Sequence, residues 1–311
     1  MTLLVGAGTM AIDYSKVLTA LNRDYLVIGR SKESALKFER ETGKRVICGG
    51  IDEFLLRDEP VPNSAIVSVG IEQLASTTKS LIRAGIKHIL LEKPGGLNIE
   101  EINSLTQEVN ECEAKVYIAY NRRFYSSVLE AQKIIKEDGG VENFTFEVTE
   151  WAHTIEPLIK AEGVKENWFL GNTTHVLDLA FYLGGRPQEI VCFTKGNTPW
   201  HSRSAIYSGA GETADGALFS YTGNWNAPGR WGVEMLTRKH RLIFRPIEKL
   251  QIQKLGSIEI DELTIDNSLD ILFKPGLYRQ VQDFLLNETE NFCTLQEHLD
   301  HCKVYNKIAN Y

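Results

Sequence analysis

The chain has 311 residues, 43% hydrophobic and 24% charged, the composition of a globular protein long enough to bury cores in two domains. Its net charge of -7 and a pI near 5.6 disfavour extended binding to nucleic acid or an anionic membrane surface, since both need a positive face. No apolar run approaches the ~18 residues of a membrane span and the N-terminus begins directly on a strand pattern without a signal peptide, so a cytoplasmic protein is expected.

Thr2-Leu3-Leu4-Val5 is a short apolar run followed by Gly6-Ala7-Gly8-Thr9-Met10-Ala11 and a helical pattern through Leu21. This G-x-G-x-x-A turn between strand and helix fits a dinucleotide site: Gly6 permits the tight turn, and Gly8 lets a pyrophosphate reach the backbone, with Thr9 and Met10 beside it. The next strand, Tyr25-Leu26-Val27-Ile28, ends in Gly29-Arg30-Ser31, where an NAD site would carry an acid for the ribose hydroxyls. Arg30 and Ser31 instead suit a 2′-phosphate, so NADP is expected ahead of NAD, although a solvated loop arginine also accounts for Arg30.

The alternation continues with a helix over 31–41, a strand over 45–48, a loop around Pro60 and Pro62, a strand over 65–69 and a helix over 73–84. Then comes the buried strand His88-Ile89-Leu90-Leu91, which presents Glu92 and Lys93 at its carboxyl end and turns at Pro94. Ligands of open parallel sheets bind beyond the carboxyl ends of strands, so both are site candidates. A half-buried lysine beside other cations can shift from its usual ~10.4 into a working range. A helix over 99–112 and a strand over 115–120, ending in Asn121-Arg122-Arg123-Phe124, complete a nucleotide-binding domain over 1–121.

After residue 124 the rhythm changes. Helices are expected over 128–136 and 173–183, the latter stopped by Gly184-Gly185, and again over 277–286 and 296–309. Strand-like runs fall at 144–151, 189–194, 205–207, 217–221, 233–236 and 241–244. The fold expected is therefore α/β: an N-terminal doubly wound parallel sheet, then an α+β domain over 122–311 with a large, mostly antiparallel sheet. The five cysteines have no C-x-x-C spacing and suit a reducing compartment. His298, His301 and Cys302 have helical spacing, but a polar helix face explains them as well and no metal is expected.

The succession of Gly6-Ala7-Gly8-Thr9-Met10-Ala11, Glu92-Lys93-Pro94, Asn121-Arg122-Arg123-Phe124 and His175-Val176-Leu177-Asp178-Leu179 resembles the glucose-fructose oxidoreductase / inositol dehydrogenase / rhizopine-catabolism (Gfo/Idh/MocA) family. The resemblance implies a Rossmann domain, a second domain with a large sheet, and oxidoreduction between a nicotinamide and a sugar, cyclitol or nucleotide-linked sugar. It implies that Lys93 binds and polarises the reacting hydroxyl while His175 exchanges its proton, with Glu92 and Lys93 also near the cofactor. Asn172, Thr173 and Thr174 are candidate N-caps, which would put His175 in the first turn of its helix, where the dipole favours a neutral imidazole. Asn121, Arg123, Asn172 and Trp168 are further substrate-binding candidates, though a capped turn serves Asn121 as well.

One departure from the family pattern is chemical. Many members carry an aspartate four residues before the histidine, and here that position is Gly171. It leaves open a catalytically silent NADP-binding sensor of the same fold, or a reductase of a non-sugar carbonyl or imine. The resemblance further implies a homodimer or homotetramer.

Overall fold

The computed structural model describes residues 1–57 and 60–311, in two compact units: Met1–Asn121 with Leu269–Asp300, and Arg122–Ser268 with His301–Tyr311. In chain order the elements to Asn121 are β1 (Thr2–Val5), α1 (Thr9–Ala20), β2 (Tyr25–Gly29), α2 (Lys32–Thr42), β3 (Val46–Cys48), α3 (Gly50–Leu55), β4 (Ser64–Val67), α4 (Leu74–Arg83), β5 (His88–Leu91), α5 (Ile99–Glu111) and β6 (Lys115–Ile118). There follow α6 (Ser126–Glu137), β7 (Asn143–Glu147), α7 (Ala152–Ile155), α8 (Thr174–Gly184), β8 (Pro187–Lys195), β9 (Ile206–Thr213), β10 (Leu218–Asn224), β11 (Gly232–Leu236), β12 (His240–Phe244), β13 (Gln251–Lys254) and β14 (Asp261–Glu262). The last elements are α9 (Ser268–Leu272), α10 (Leu277–Leu286), β15 (Cys293–Thr294) and α11 (Leu295–Ala309).

The first unit is built on a sheet of order β15-β6-β5-β4-β1-β2-β3, parallel except for β15. Its strands are short apolar runs whose inner residues, among them Leu3, Leu4, Ile66, Leu90 and Ile118, are buried, as a sheet covered on both faces requires. The expected domain over 122–311 needs a correction here, because 269–300 returns to this unit. β15 pairs antiparallel with β6 and so covers an open edge. On α10, Phe284 stacks on His88 at 4.2 Å, and His88 Nε2 donates to the Phe284 carbonyl at 3.0 Å. A two-residue strand leaves too little pattern to be read in sequence.

The second unit holds the sheet of order β14-β13-β12-β11-β7-β10-β9-β8, antiparallel except for the parallel pair of β7 with β10. α8 lies on it through Phe181, whose ring meets Phe144, Phe146 and Phe219 edge-on at 6.1, 5.5 and 5.2 Å. Strand β9, next to the edge strand β8, is longer than the run read from the sequence because its Ser208-Gly209-Ala210-Gly211 core lacks β-forming side chains. Those glycines are required by packing: a β-carbon at Gly211 would stand 2.6 Å from the Phe219 ring.

Arg123 joins the segment after β6 to α8. Its Nε and Nη2 donate to Asp178 Oδ2 and Oδ1 at 2.9 and 2.6 Å, and the two side chains are 2% and 0% exposed. Leaving a buried charge unpaired costs about 3–5 kcal/mol. Asp178→Ala should therefore lower the unfolding free energy by about that amount, measured by urea denaturation, whereas a surface pair such as Lys249 with Glu262 should give less than about 1 kcal/mol when broken.

Candidate active site

In the first unit, the turn from β1 to α1 forms an anion cradle. Gly6 has φ +125°, and a β-carbon there would collide with the Ser68 carbonyl. Gly8 caps α1 without a side-chain hydrogen bond, and nothing stands within 4 Å of where its β-carbon would be. The first-turn N–H groups are thus left for an anion at the positive end of the helix dipole. A cavity of about 470 Å³ opens on this turn, lined by Gly6, Gly8, Thr9, Met10, Arg30 and Ser31. A second, of about 310 Å³, is lined by Gly29, Arg30, Gly49, Gly50, Asp52 and Thr77.

Ser31 Oγ caps α2 by accepting from the Ser34 N–H at 3.2 Å. Arg30 is exposed and has no hydrogen bond or ion pair among the described residues. Residues and space fit the diphosphate of a dinucleotide, with Arg30, Ser31 and Ser34 around the end of β2.

At the carboxyl end of β5 the Glu92 N–H donates to the Val67 carbonyl at 2.9 Å, so the strand register carries through to the motif. Tyr14, from α1, donates its hydroxyl to Glu92 Oε1 at 2.7 Å. Burial pushes the Glu92 carboxyl above its ordinary value, against the opposing pull of the Tyr14 hydrogen bond and the charges of Lys93 and Lys274. Lys93 is half-buried beside it, and the Lys93–Pro94 bond is cis. Asn121 donates its amide to the Pro275 carbonyl at 2.9 Å, a packing role that holds the returning segment. His298 donates from Nε2 to the Pro94 carbonyl at 2.8 Å, and its Nδ1 accepts from the Tyr120 hydroxyl at 3.2 Å.

In the second unit, two sequence expectations change. His175 is the second residue of α8, but that helix has no free N-terminus: a π-helical turn, Phe169–Thr173, runs directly into it, and Thr173 itself has helical dihedrals, φ -68° and ψ -22°. Asn172 and Thr173 therefore do not cap. Arg123 is committed through Nε and Nη2 to Asp178 and packed on the Tyr182 ring at 4.4 Å, so it positions the helix of His175.

Sequence reading also missed Glu150. It follows β7, is 1% exposed, and accepts from Asn172 Nδ2 and Thr173 Oγ1 at 2.8 Å each and from Arg230 Nη1 at 3.2 Å. Burial raises its carboxyl above the usual range, against those three donors. The sequence signal was one of phase: in the alternating run 144–151, Glu150 falls on the same side as Phe144, Phe146 and Val148. His175, 9% exposed, lies against the Trp231 ring at 6.1 Å. Trp168 begins the π turn and meets Trp200 edge-on at 5.9 Å, with its indole N–H buried and without a hydrogen-bond partner among the described residues.

Residues 2–120 match the Gfo/Idh/MocA family model, described as oxidoreductase family, NAD-binding Rossmann fold. No curated relative matches the chain at the level of sequence. Among solved structures it is similar to levoglucosan dehydrogenase in complex with NADH and levoglucosan, at TM-score 0.80 and 18% identity, covering 99% of this chain and 96% of that one. It is likewise similar to the UDP-N-acetylglucosamine 3-dehydrogenase of Acidithiobacillus ferrooxidans, at 0.75 and 14%, covering 99% and 96%, and to an NAD-binding oxidoreductase from Klebsiella pneumoniae, at 0.78 and 15%, covering 99% and 95%. At these identities the likeness establishes the fold over both units.

The raised Glu150 carboxyl predicts a pH dependence. Its contribution to stability is fully present below its ordinary value of 4.5 and is lost as pH rises through the higher folded-state value. Urea midpoints taken from about pH 4 to about pH 8 should fall with rising pH in the wild type and fall less steeply in Glu150→Gln.

Proposed function

We propose that the protein is an NADP-preferring oxidoreductase acting at a hydroxyl or carbonyl carbon of a sugar, cyclitol or nucleotide-linked sugar. The observation that carries this reading is the cradle at Gly6 and Gly8, opening on Arg30 and Ser31, in the same parallel sheet whose β5 ends in Glu92 and Lys93. Gly6, Gly8, Thr9 and Met10 would hold the diphosphate, and Arg30 with Ser31 the 2′-phosphate of the adenosine. When bound, the nicotinamide supplies the hydride acceptor or donor.

The chain's own residues handle the oxygen and its proton. Lys93 donates to the reacting oxygen and stabilises the alkoxide that develops there; the neighbouring Glu92 is fixed in place by Tyr14. His175 accepts the hydroxyl proton in oxidation and returns it in reduction, with its helix held by Arg123–Asp178. Asn172 is the remaining candidate contact for a substrate hydroxyl, and Trp168 for an apolar sugar face. Glu150 keeps the turn ahead of His175 attached to the end of β7.

We assign the open face of the second sheet to pairing with another copy of this chain. Val191 and Phe193 on β8 and Leu218 on β10, two strands separated by β9, stand 60%, 67% and 59% exposed, an apolar patch of the kind that marks an interface. Light scattering should give a dimer or tetramer for the wild type and a smaller species for Phe193→Lys.

Nicotinamide fluorescence should show tighter binding of NADPH than NADH, and Arg30→Asp should reverse the order. With a panel of sugars and nucleotide-linked sugars, Lys93→Ala and His175→Ala should each lower turnover by about 100-fold or more with cofactor affinity kept. Cofactor binding without turnover on any of them would replace this reading with a sensor of the same fold.

A further inference from the structure

Two guanidinium groups meet one buried indole in the second unit. Arg230 Cζ lies 4.4 Å and Arg122 Cζ 5.1 Å from the Trp231 ring centre, and the ring of His175 lies 6.1 Å from the same tryptophan. Their electrostatic situations differ. Arg230 has Glu150 as counter-ion at 3.2 Å, and the neighbouring Arg123 has Asp178. Arg122 has no ion pair among the described residues, and its Nε is buried there without a hydrogen-bond partner.

The guanidinium lies over the aromatic faces of Trp231 and, at 5.9 Å, of Tyr125, and the carboxylates of Glu248 and Glu150 act on it from a distance without forming an ion pair among the described residues. The indole N–H of Trp231 is likewise buried without a hydrogen-bond partner among the described residues. Burial pulls Arg122 below the usual arginine value, helped by the charge of Arg230, and the opposing pulls of Tyr125, Glu248 and Glu150 do not offset it. A desolvated guanidinium is costly unless it meets an anion, and its planar fork matches carboxylate and phosphate oxygens in particular.

We infer that Arg122, with the Trp231 N–H as a second donor, is the subsite for an anionic group, phosphate or carboxylate, carried by the substrate. This rests on the oxidoreductase reading, because the shared Trp231 wall is what relates the subsite to His175 and so to the reacting carbon. It narrows the substrate from sugars in general to acidic or phosphorylated ones.

The test uses the full chain saturated with the nicotinamide cofactor, which keeps anions off the glycine turn. Glucose, glucuronate and glucose 1-phosphate are titrated calorimetrically into the wild type, Arg122→Leu and Arg122→Lys. The wild type should bind one anionic sugar roughly 10-fold or more tightly than glucose, as a charge-assisted pair provides. Which sugar gains tells carboxylate from phosphate. The advantage should vanish in Arg122→Leu and shrink in Arg122→Lys, with cofactor affinity unchanged. If the leucine variant does not fold, as judged by near-ultraviolet circular dichroism, the lysine variant decides by the same criterion.

Equal or no binding of the three sugars by the wild type overturns the inference. So does an anionic advantage that survives replacement of Arg122, or a matching loss of cofactor affinity, which would give the arginine to the cofactor. A wild type that binds no cofactor at all sinks the oxidoreductase reading instead. Inorganic phosphate titrated into the wild type and Arg122→Leu then tests the subsite directly, and equal response of the two overturns it.

Discussion

Arg123 and Asp178 form a fully buried, bidentate ion pair, and much of the second unit's chemistry depends on it. A pair of this kind contributes little net stability, because removing two charges from water offsets most of their attraction. What it supplies is geometry: neither partner tolerates the loss of the other, and the fork of hydrogen bonds allows one orientation. Asp178 is one helical turn beyond His175 on α8, so the pair fixes the rotation of the helix that presents the histidine. The stack of Phe181 on Phe144, Phe146 and Phe219 fixes its depth against the sheet.

In the first unit the corresponding constraint is backbone polarity. Parallel strands align their carboxyl ends, and β1, β2, β4 and β5 all deliver the chain to the same edge of the sheet. The turn at Gly6, the Arg30-Ser31 step and Glu92-Lys93 are grouped by that rule. Two side-chain details refine it. Gly6 is tight against Ser68 at the end of β4, and Tyr14 on α1 reaches Glu92, so the diphosphate cradle and the candidate catalytic lysine are tied to one helix.

The glycine at position 171, where family members often carry an acid, looks like a loss in the sequence. In the fold, Glu150 stands at the end of β7 with Asn172 and Thr173 as its donors, so a buried carboxylate is attached to the same turn from a different element. Its third donor, Arg230, shares the Trp231 ring with Arg122. The consequence is a second-unit cluster in which Arg230 is ion-paired to Glu150 while Arg122 has no ion pair among the described residues.

The sequence by itself determined the local grammar: apolar runs of strand length, glycine turns at strand-to-helix junctions, caps, and short motifs whose spacing carried the family resemblance. These are legible because each depends on residues within a few positions of one another. That suffices for the parallel order of the first sheet, for Lys93 at a strand end and for His175 on a helix. Only the tertiary structure decided the rest. The return of 269–300 depends on a two-residue strand finding the edge of β6, and β9 is a strand because Tyr221 and Phe219 cover its glycines. That Arg123 is a buried strut while its neighbour Arg122 has no ion pair among the described residues depends on residues far along the chain, Asp178, Trp231 and Glu150. Charge compensation is a long-range property of packing, which is why two adjacent arginines that read alike in sequence have different physical states in the fold.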